Sequence, residues 1–164
     1  MSIVFAMILT YLIITAYGYI GHRILHKPWA GIFNKYHMTH HMVLYPSNDC
    51  LSDSYRSAGA DNTVKAFAIM SLPIMAIPFI LFTFNFISLY LMLIIIFEMF
   101  LIGWMHSYFH DVFHIRNHFL SKIPIIKVLF NKFVILHYMH HVNLEKNFGI
   151  FTFFWDRLFR TFIK

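Results

Sequence analysis

Two uncharged stretches constrain this chain more than any other feature. Ser2 to Gly21 and Ala66 to Phe97 contain no Asp, Glu, Lys or Arg, and Glu98 is the first charge after the second stretch. Crossing the hydrocarbon core of a bilayer takes about 20 apolar residues of helix. The first stretch matches one crossing. The second, interrupted by Pro73, Pro78 and Asn85, is too long for one and fits two joined by a tight turn at Thr83-Phe84-Asn85. The sequence therefore predicts spans at about 2–21, 64–84 and 86–105 in one domain covering residues 1–164. The first span lacks a basic leader and is too long for the apolar core of a secretory signal. The competing reading is a soluble protein with buried apolar helices. A composition of 59% hydrophobic and 12% charged residues weighs against it.

Charge sets the expected topology. All 13 Lys and Arg fall in residues 22–65 or 116–164, between the first two spans or after the third. Basic loops stay in the cytoplasm, and a hairpin of spans two and three returns the chain to the side it left. The fold expected is all-α: an integral membrane helical bundle with a cytosolic helical cap. Helices are expected at about 32–44, stopped by Pro46, and at about 125–141 after Pro124, with the third span continuing into the cytosol. The net charge of +6 is dispersed among apolar residues (Lys122, Lys127, Lys132, Arg157, Arg160, Lys164), which suits anionic lipid headgroups rather than nucleic acid. Cys50 is the only cysteine, so there is no disulfide framework, and an inert thiol in a reducing compartment is expected.

The cap is rich in histidine. All 12 histidines lie in clusters: His22-x3-His26, His37-x2-His40-His41, His106-x3-His110-x3-His114 with His118, and His137-x2-His140-His141. Helical residues at i, i+3 and i+4 share a face, so each cluster is expected to project together toward one centre. The pattern of the first two clusters recurs in His110-x3-His114 and His137-x2-His140-His141, as if two half-sites faced each other. Imidazole ligates zinc, iron and copper alike, and this many imidazoles would hold two ions. His118 reads as an ordinary surface residue. No His-Glu-x2-His protease motif, haem-attachment motif or Gly-rich nucleotide loop is present. A metal site at a membrane face suggests an apolar substrate from the bilayer, and unactivated C–H bonds need activated oxygen rather than side-chain acids and bases.

The series His22-Arg-Ile-Leu-His26, His37-Met-Thr-His40-His41, His110-Asp-Val-Phe-His114 and His137-Tyr-Met-His140-His141 resembles the fatty acid hydroxylase/sterol desaturase superfamily, which includes carotenoid hydroxylases. The tail is similar too: Glu145-Lys-Asn147-Phe148-Gly149, then Trp155-Asp156-Arg157-Leu158-Phe159-Arg160-Thr161. Two positions depart from the family's pattern, Glu145 for its Asp and Arg160 for its Gly. The resemblance covers about residues 20–161. It implies a membrane di-iron oxidoreductase that uses O₂ to hydroxylate, or alternatively desaturate, a fatty acyl, sterol or carotenoid lipid. Iron would be held by His22, His26, His37, His40, His41, His106, His110, His114, His137, His140 and His141. Relatives differ over whether His106 or His114 pairs with His110. Zinc can occupy such sites after purification. Electrons would come from a separate ferredoxin- or cytochrome b5-like donor with its reductase.

Asp111 and Asp156 are the carboxylates expected to orient ligand imidazoles, as outer-shell acids do. Glu98, an acid inside a span, would line a substrate cavity or support the site. Asp49, Asp53 and Arg56 follow the second cluster as supporting groups or plain loop charges. The aromatic run from Phe148 to Phe159 is expected to pack at the membrane interface. The rivals are a membrane metal carrier and a zinc hydrolase. A carrier would need ionisable residues along its spans, where only Glu98 stands. A hydrolase would need a catalytic carboxylate, for which Asp111 is the candidate.

Overall fold

The computed structural model describes residues 2–56 and 63–164, without side-chain detail for residues 63–65. Residues 57–62, within the first expected cytoplasmic segment, lie outside the described residues. Every described element is helical: α1 (Ile3–Leu25), α2 (Ile32–Thr39), α3 (Thr63–Thr83), α4 (Leu89–Val112), α5 (Pro124–Val142) and α6 (Phe154–Leu158), with short 3-10 turns at Pro28–Ala30 and Phe119–Lys122.

Three helices are long and apolar enough to cross a membrane, at Ile3–Leu25, Ala66–Thr83 and Leu89–Val112. Their outward side chains are bare: Val4 and Phe97 are each 67% exposed and Leu72 is 63% exposed. In water such a surface would cost about 25 cal/mol per Å², so these helices are not the buried core of a soluble domain. Ala6, Ile74, Leu91, Ile95 and Met99 form the seam among the three. Tyr17 of α1 adds a hydrogen bond from its hydroxyl to the Met70 carbonyl of α3. Ser2 and Ser88 cap α1 and α4 by accepting from Phe5 N and Leu91 N, both at 3.3 Å.

The helix boundaries differ from the sequence expectation in an informative way. α1 runs one turn past residue 21, so it carries His22 and is capped by His26. α3 absorbs both Pro73 and Pro78 without ending. The turn falls where expected, with Asn85 in the left-handed region at φ 59°, but the next helix begins at Leu89 rather than near 86. α4 extends beyond its membrane length as expected and carries His106 and His110, yet it stops at Val112 and leaves His114 in the following loop. Pro124 opens α5 at its first turn, where its missing N–H has no helical partner to lose.

The tail folds back along α1. Trp155 Nε1 donates to Thr15 Oγ1 at 3.0 Å, and the Tyr19 hydroxyl meets Thr161 Oγ1 at 3.1 Å. Arg160 adopts φ 60°, so the turn of the family pattern survives with an arginine in a conformation that favours glycine. Phe148 and Phe153 are fully or nearly fully buried, while Phe154 and Phe159 are about half exposed. The aromatic run is thus split between core and surface rather than lying wholly at an interface.

Candidate metal centre

Nine histidines form two adjacent donor groups, with the ligand atoms of each group within 4.8 Å of one another. The first group is His22, His26, His37, His41 and His140, and the second is His40, His114, His137 and His141. All nine are buried.

The clusters do not each converge on one centre, as their spacing predicted. α2 passes into a π-helical turn at His40–Leu44. His37 and His41, at i and i+4, share a stripe and serve the first group. His40 lies roughly 100° away around the helix from His41 and serves the second. In α5, His137 and His141 serve the second group and His140 crosses to the first. Each half of the chain thus lends its middle histidine to the other half's centre. Under the internal echo, His22, His26, His37, His41 and His140 map onto His110, His114, His137, His141 and His40. The mapped set is the second group plus His110. The His110 ring lies 4.5 Å from His40 and 5.0 Å from His137, centroid to centroid, and its buried Nε2 has no hydrogen-bond partner among the described residues.

The loops decide which ring nitrogen faces inward. A carbonyl can only accept, so an imidazole bonded to one must donate. His22 Nδ1 donates to Phe148 O at 2.7 Å, His114 Nδ1 to Cys50 O at 2.9 Å, His140 Nδ1 to Lys146 O at 2.6 Å and His141 Nδ1 to Tyr45 O at 2.8 Å. Each bond places the proton on Nδ1 and leaves a lone pair on Nε2. The Nε2 atoms then crowd together: His26 to His140 at 3.2 Å, His37 to His26 and to His41 at 3.0 Å, and His114 to His40 at 3.1 Å and to His137 at 3.0 Å. Imidazole nitrogens about 2.0–2.1 Å from an ion and about 90–110° apart stand about 2.9–3.4 Å from each other. The Nε2 atoms of His22 and His141 are buried without partners among the described residues. The donor set therefore fits two metal ions held by nitrogen.

Burial, followed by the neighbouring imidazoles, holds His37, His41, His114, His137, His140 and His141 well below the usual histidine pKa. Burial does the same for His26, down to about 2. At neutral pH these rings are uncharged, the form that binds metal. Neither group contains a carboxylate among the described residues. Nδ1 of His26, His37, His41 and His137 meets no acceptor among the described residues, so packing orients these rings.

Of the supporting residues, Tyr45 and the Cys50 carbonyl carried no signal in the sequence. Tyr45 is fully buried and stacks on His114 at 3.9 Å; its carbonyl takes His141 and its hydroxyl accepts from Arg56 N. Arg56 also donates to Leu44 O at 2.8 Å and pairs with Asp49 at 2.8 Å, pinning the loop that delivers Tyr45 and Cys50. Burial pushes the Cys50 thiol up to about 12, so it is inert, and its useful group is its carbonyl. Phe148 packs its ring on His22, His26 and His140.

The two expected orienting acids act differently. Asp111 Oδ1 lies 3.5 Å from His110 Nδ1, at the limit of a hydrogen bond. Asp156, fully buried, accepts at 2.8 Å from Phe148 N, from Gly149 N and from the Thr161 hydroxyl. It therefore fixes the loop whose carbonyl orients His22, rather than touching an imidazole. Asn147 closes the same loop: its side chain accepts from Ile163 N at 2.9 Å and donates to Leu136 O at 3.2 Å. His118 is half-buried and caps a 3-10 turn.

His106 belongs to neither donor group. It lines a cavity of about 560 Å³ between α1, α3, α4 and the tail, together with Ile14, Gly18, Phe67, Met99 and Phe148. That volume is typical of a small-molecule site. Glu98 does not line this cavity, and its Oε2 is buried without a partner among the described residues.

The family model described as fatty acid hydroxylase matches residues 7–161. No curated protein and no solved structure matches the chain.

Proposed function

This chain belongs to the fatty acid hydroxylase family, and from that premise we propose that it is a membrane di-iron oxidoreductase that uses O₂ to hydroxylate a C–H bond of a lipid. One observation supports this reading above the others. The first of two all-imidazole donor groups adjoins, through His22, the Phe67 and Phe148 wall of an apolar cavity set among three lipid-facing helices. A lipid chain can enter such a cavity from the bilayer without crossing water. Two bound iron ions would supply reductive activation of O₂, and the donor set itself would serve zinc equally well.

In hydroxylation, one oxygen atom of O₂ enters the C–H bond and the other leaves as water, consuming two electrons and two protons. Desaturation removes two hydrogens from the lipid, and both oxygen atoms leave as water. The electrons come from a separate carrier with its reductase, docking on the cytoplasmic side where we place the basic segments and the donor groups. The chain's own contribution is positional. The carbonyls of Tyr45, Cys50, Lys146 and Phe148 fix four imidazoles. Phe67 and Phe148 stand between the cavity and the first donor group, excluding water and passing only what the cavity holds.

The test is expression in a lipid-producing host, with metal analysis of the purified chain and mass spectrometry of host lipids under ¹⁸O₂. Two iron ions per chain and a lipid that gains one labelled oxygen are expected. A lipid lacking two hydrogens and carrying no label identifies a desaturase. A metal-free chain, with host lipids identical to those made with a His140→Ala/His141→Ala variant, overturns the reading.

A further inference from the structure

We infer that His106 is a substrate-recognition residue: with Ser107 it hydrogen-bonds an oxygen function carried by the lipid, a hydroxyl, carbonyl or amide, at the inner end of the cavity. This rests on reading the cavity as a lipid site. Five of the cavity's other polar side chains are already engaged. Thr15 Oγ1 donates to Tyr11 O at 2.8 Å and accepts from Trp155 at 3.0 Å. The Tyr17 hydroxyl is bound to Met70 O, and that of Tyr19 to Thr161. Ser71 Oγ donates to Ala68 O at 2.7 Å, and Thr152 Oγ1 accepts from Phe154 N at 3.4 Å. His106 makes no hydrogen bond among the described residues; its Nε2 is sealed off, which leaves Nδ1, on the side of Gly18 in the cavity wall, as the nitrogen a ligand meets. Ser107 lines the same cavity beside it.

The position is as telling as the missing partner. A β-carbon at Gly18 would meet His106 Cε1 and Nδ1 at 3.7 Å, which places the imidazole against α1 at the cavity wall. The Phe67 ring stands 5.2 Å from His106 and 5.9 Å from His22. Thus one aromatic ring separates His106 from the first donor group, and a lipid oxygen held there anchors the chain beside that group. An imidazole desolvated in an apolar cavity is stabilised by a hydrogen-bonding ligand and not by a hydrocarbon. Recognition of this kind discriminates strongly against an analogue that lacks the polar group.

The experiment compares binding of a long-chain alcohol and the alkane of equal length to the full-length protein in one detergent, by equilibrium dialysis. Wild type is expected to favour the alcohol by about tenfold or more. His106→Leu should lose that preference while binding the alkane within about twofold of wild type, and His106→Gln should restore part of it. Metal content should match wild type in both variants. An unchanged preference in His106→Leu overturns the inference, and so does loss of metal from both variants, which would make His106 a ligand. Binding needs no turnover, so a protein that prefers the alcohol yet oxidises nothing refutes the proposed reaction and leaves this inference standing. Oxidation without any alcohol preference does the reverse.

Discussion

A β-carbon on Gly149 would fall 2.1 Å from Thr152 O and 2.8 Å from Asp156 Oδ2. The backbone of Phe148 and Gly149 must reach both carboxylate oxygens, and only glycine permits that approach. Gly149→Ala is expected to destabilise the protein by about 1–3 kcal/mol and to loosen His22 through Phe148 O, reducing metal in the first group. Thermal unfolding and metal analysis of one preparation check both effects. Asp156→Ala leaves two buried N–H groups unpaired, at about 1–3 kcal/mol each, and should reproduce the same metal loss. Arg160 gives the opposite sign. Its exposed side chain sits on a residue at φ 60°, a conformation that costs an L-residue about 1–2 kcal/mol. Arg160→Gly should therefore raise the melting temperature without changing metal content.

At the scale of helices, the sequence carried the outline well and the convergence of the ligands poorly. The uncharged stretches located three crossings because apolar length is a direct physical requirement. Helix ends were harder to read, because α1 continues past its apolar length to carry His22 to the first donor group and α4 stops at Val112, short of His114. The histidine spacing revealed a shared stripe for His37 and His41, but not that His40 would join the other donor group, since a face common to three residues is not a common point. Asp156 was legible as important from the tail's resemblance, yet its action through the Phe148–Gly149 backbone is a tertiary fact. Tyr45 and the Cys50 carbonyl act through main-chain atoms, which side-chain chemistry in a sequence does not mark. Where α1 meets the cavity, Gly18 offers a test of the substrate channel. A β-carbon there makes only ordinary contact, and replacing a mid-helix glycine favours the helix by about 0.8 kcal/mol. Gly18→Leu should therefore fold, fill part of the cavity and shift the oxidised lipids toward shorter or slimmer chains, as read by product mass spectra.

Across the whole molecule, the buried imidazoles make stability depend on pH. Their folded pKa values lie below that of a free histidine, about 6.5, so the unfolded chain takes up more protons on acidification. The stabilisation is complete above about pH 6.5 and falls as pH drops below it. Titration from pH 7.5 to 5 should release metal and lower the unfolding temperature, while a shift to pH 9 should do neither. The exchanged histidines add a second consequence. His140 reaches His26 across 114 residues of chain, and His40 reaches His114 across 74. An ion bound at each group would clasp the two halves of the polypeptide together, and taking it away would open a long loop whose closure it had secured. On the di-iron reading proposed above, iron supply would become a form of quality control: a chain made during iron scarcity would leave its two halves unfastened, and protease should cleave chelated protein faster than metal-loaded protein.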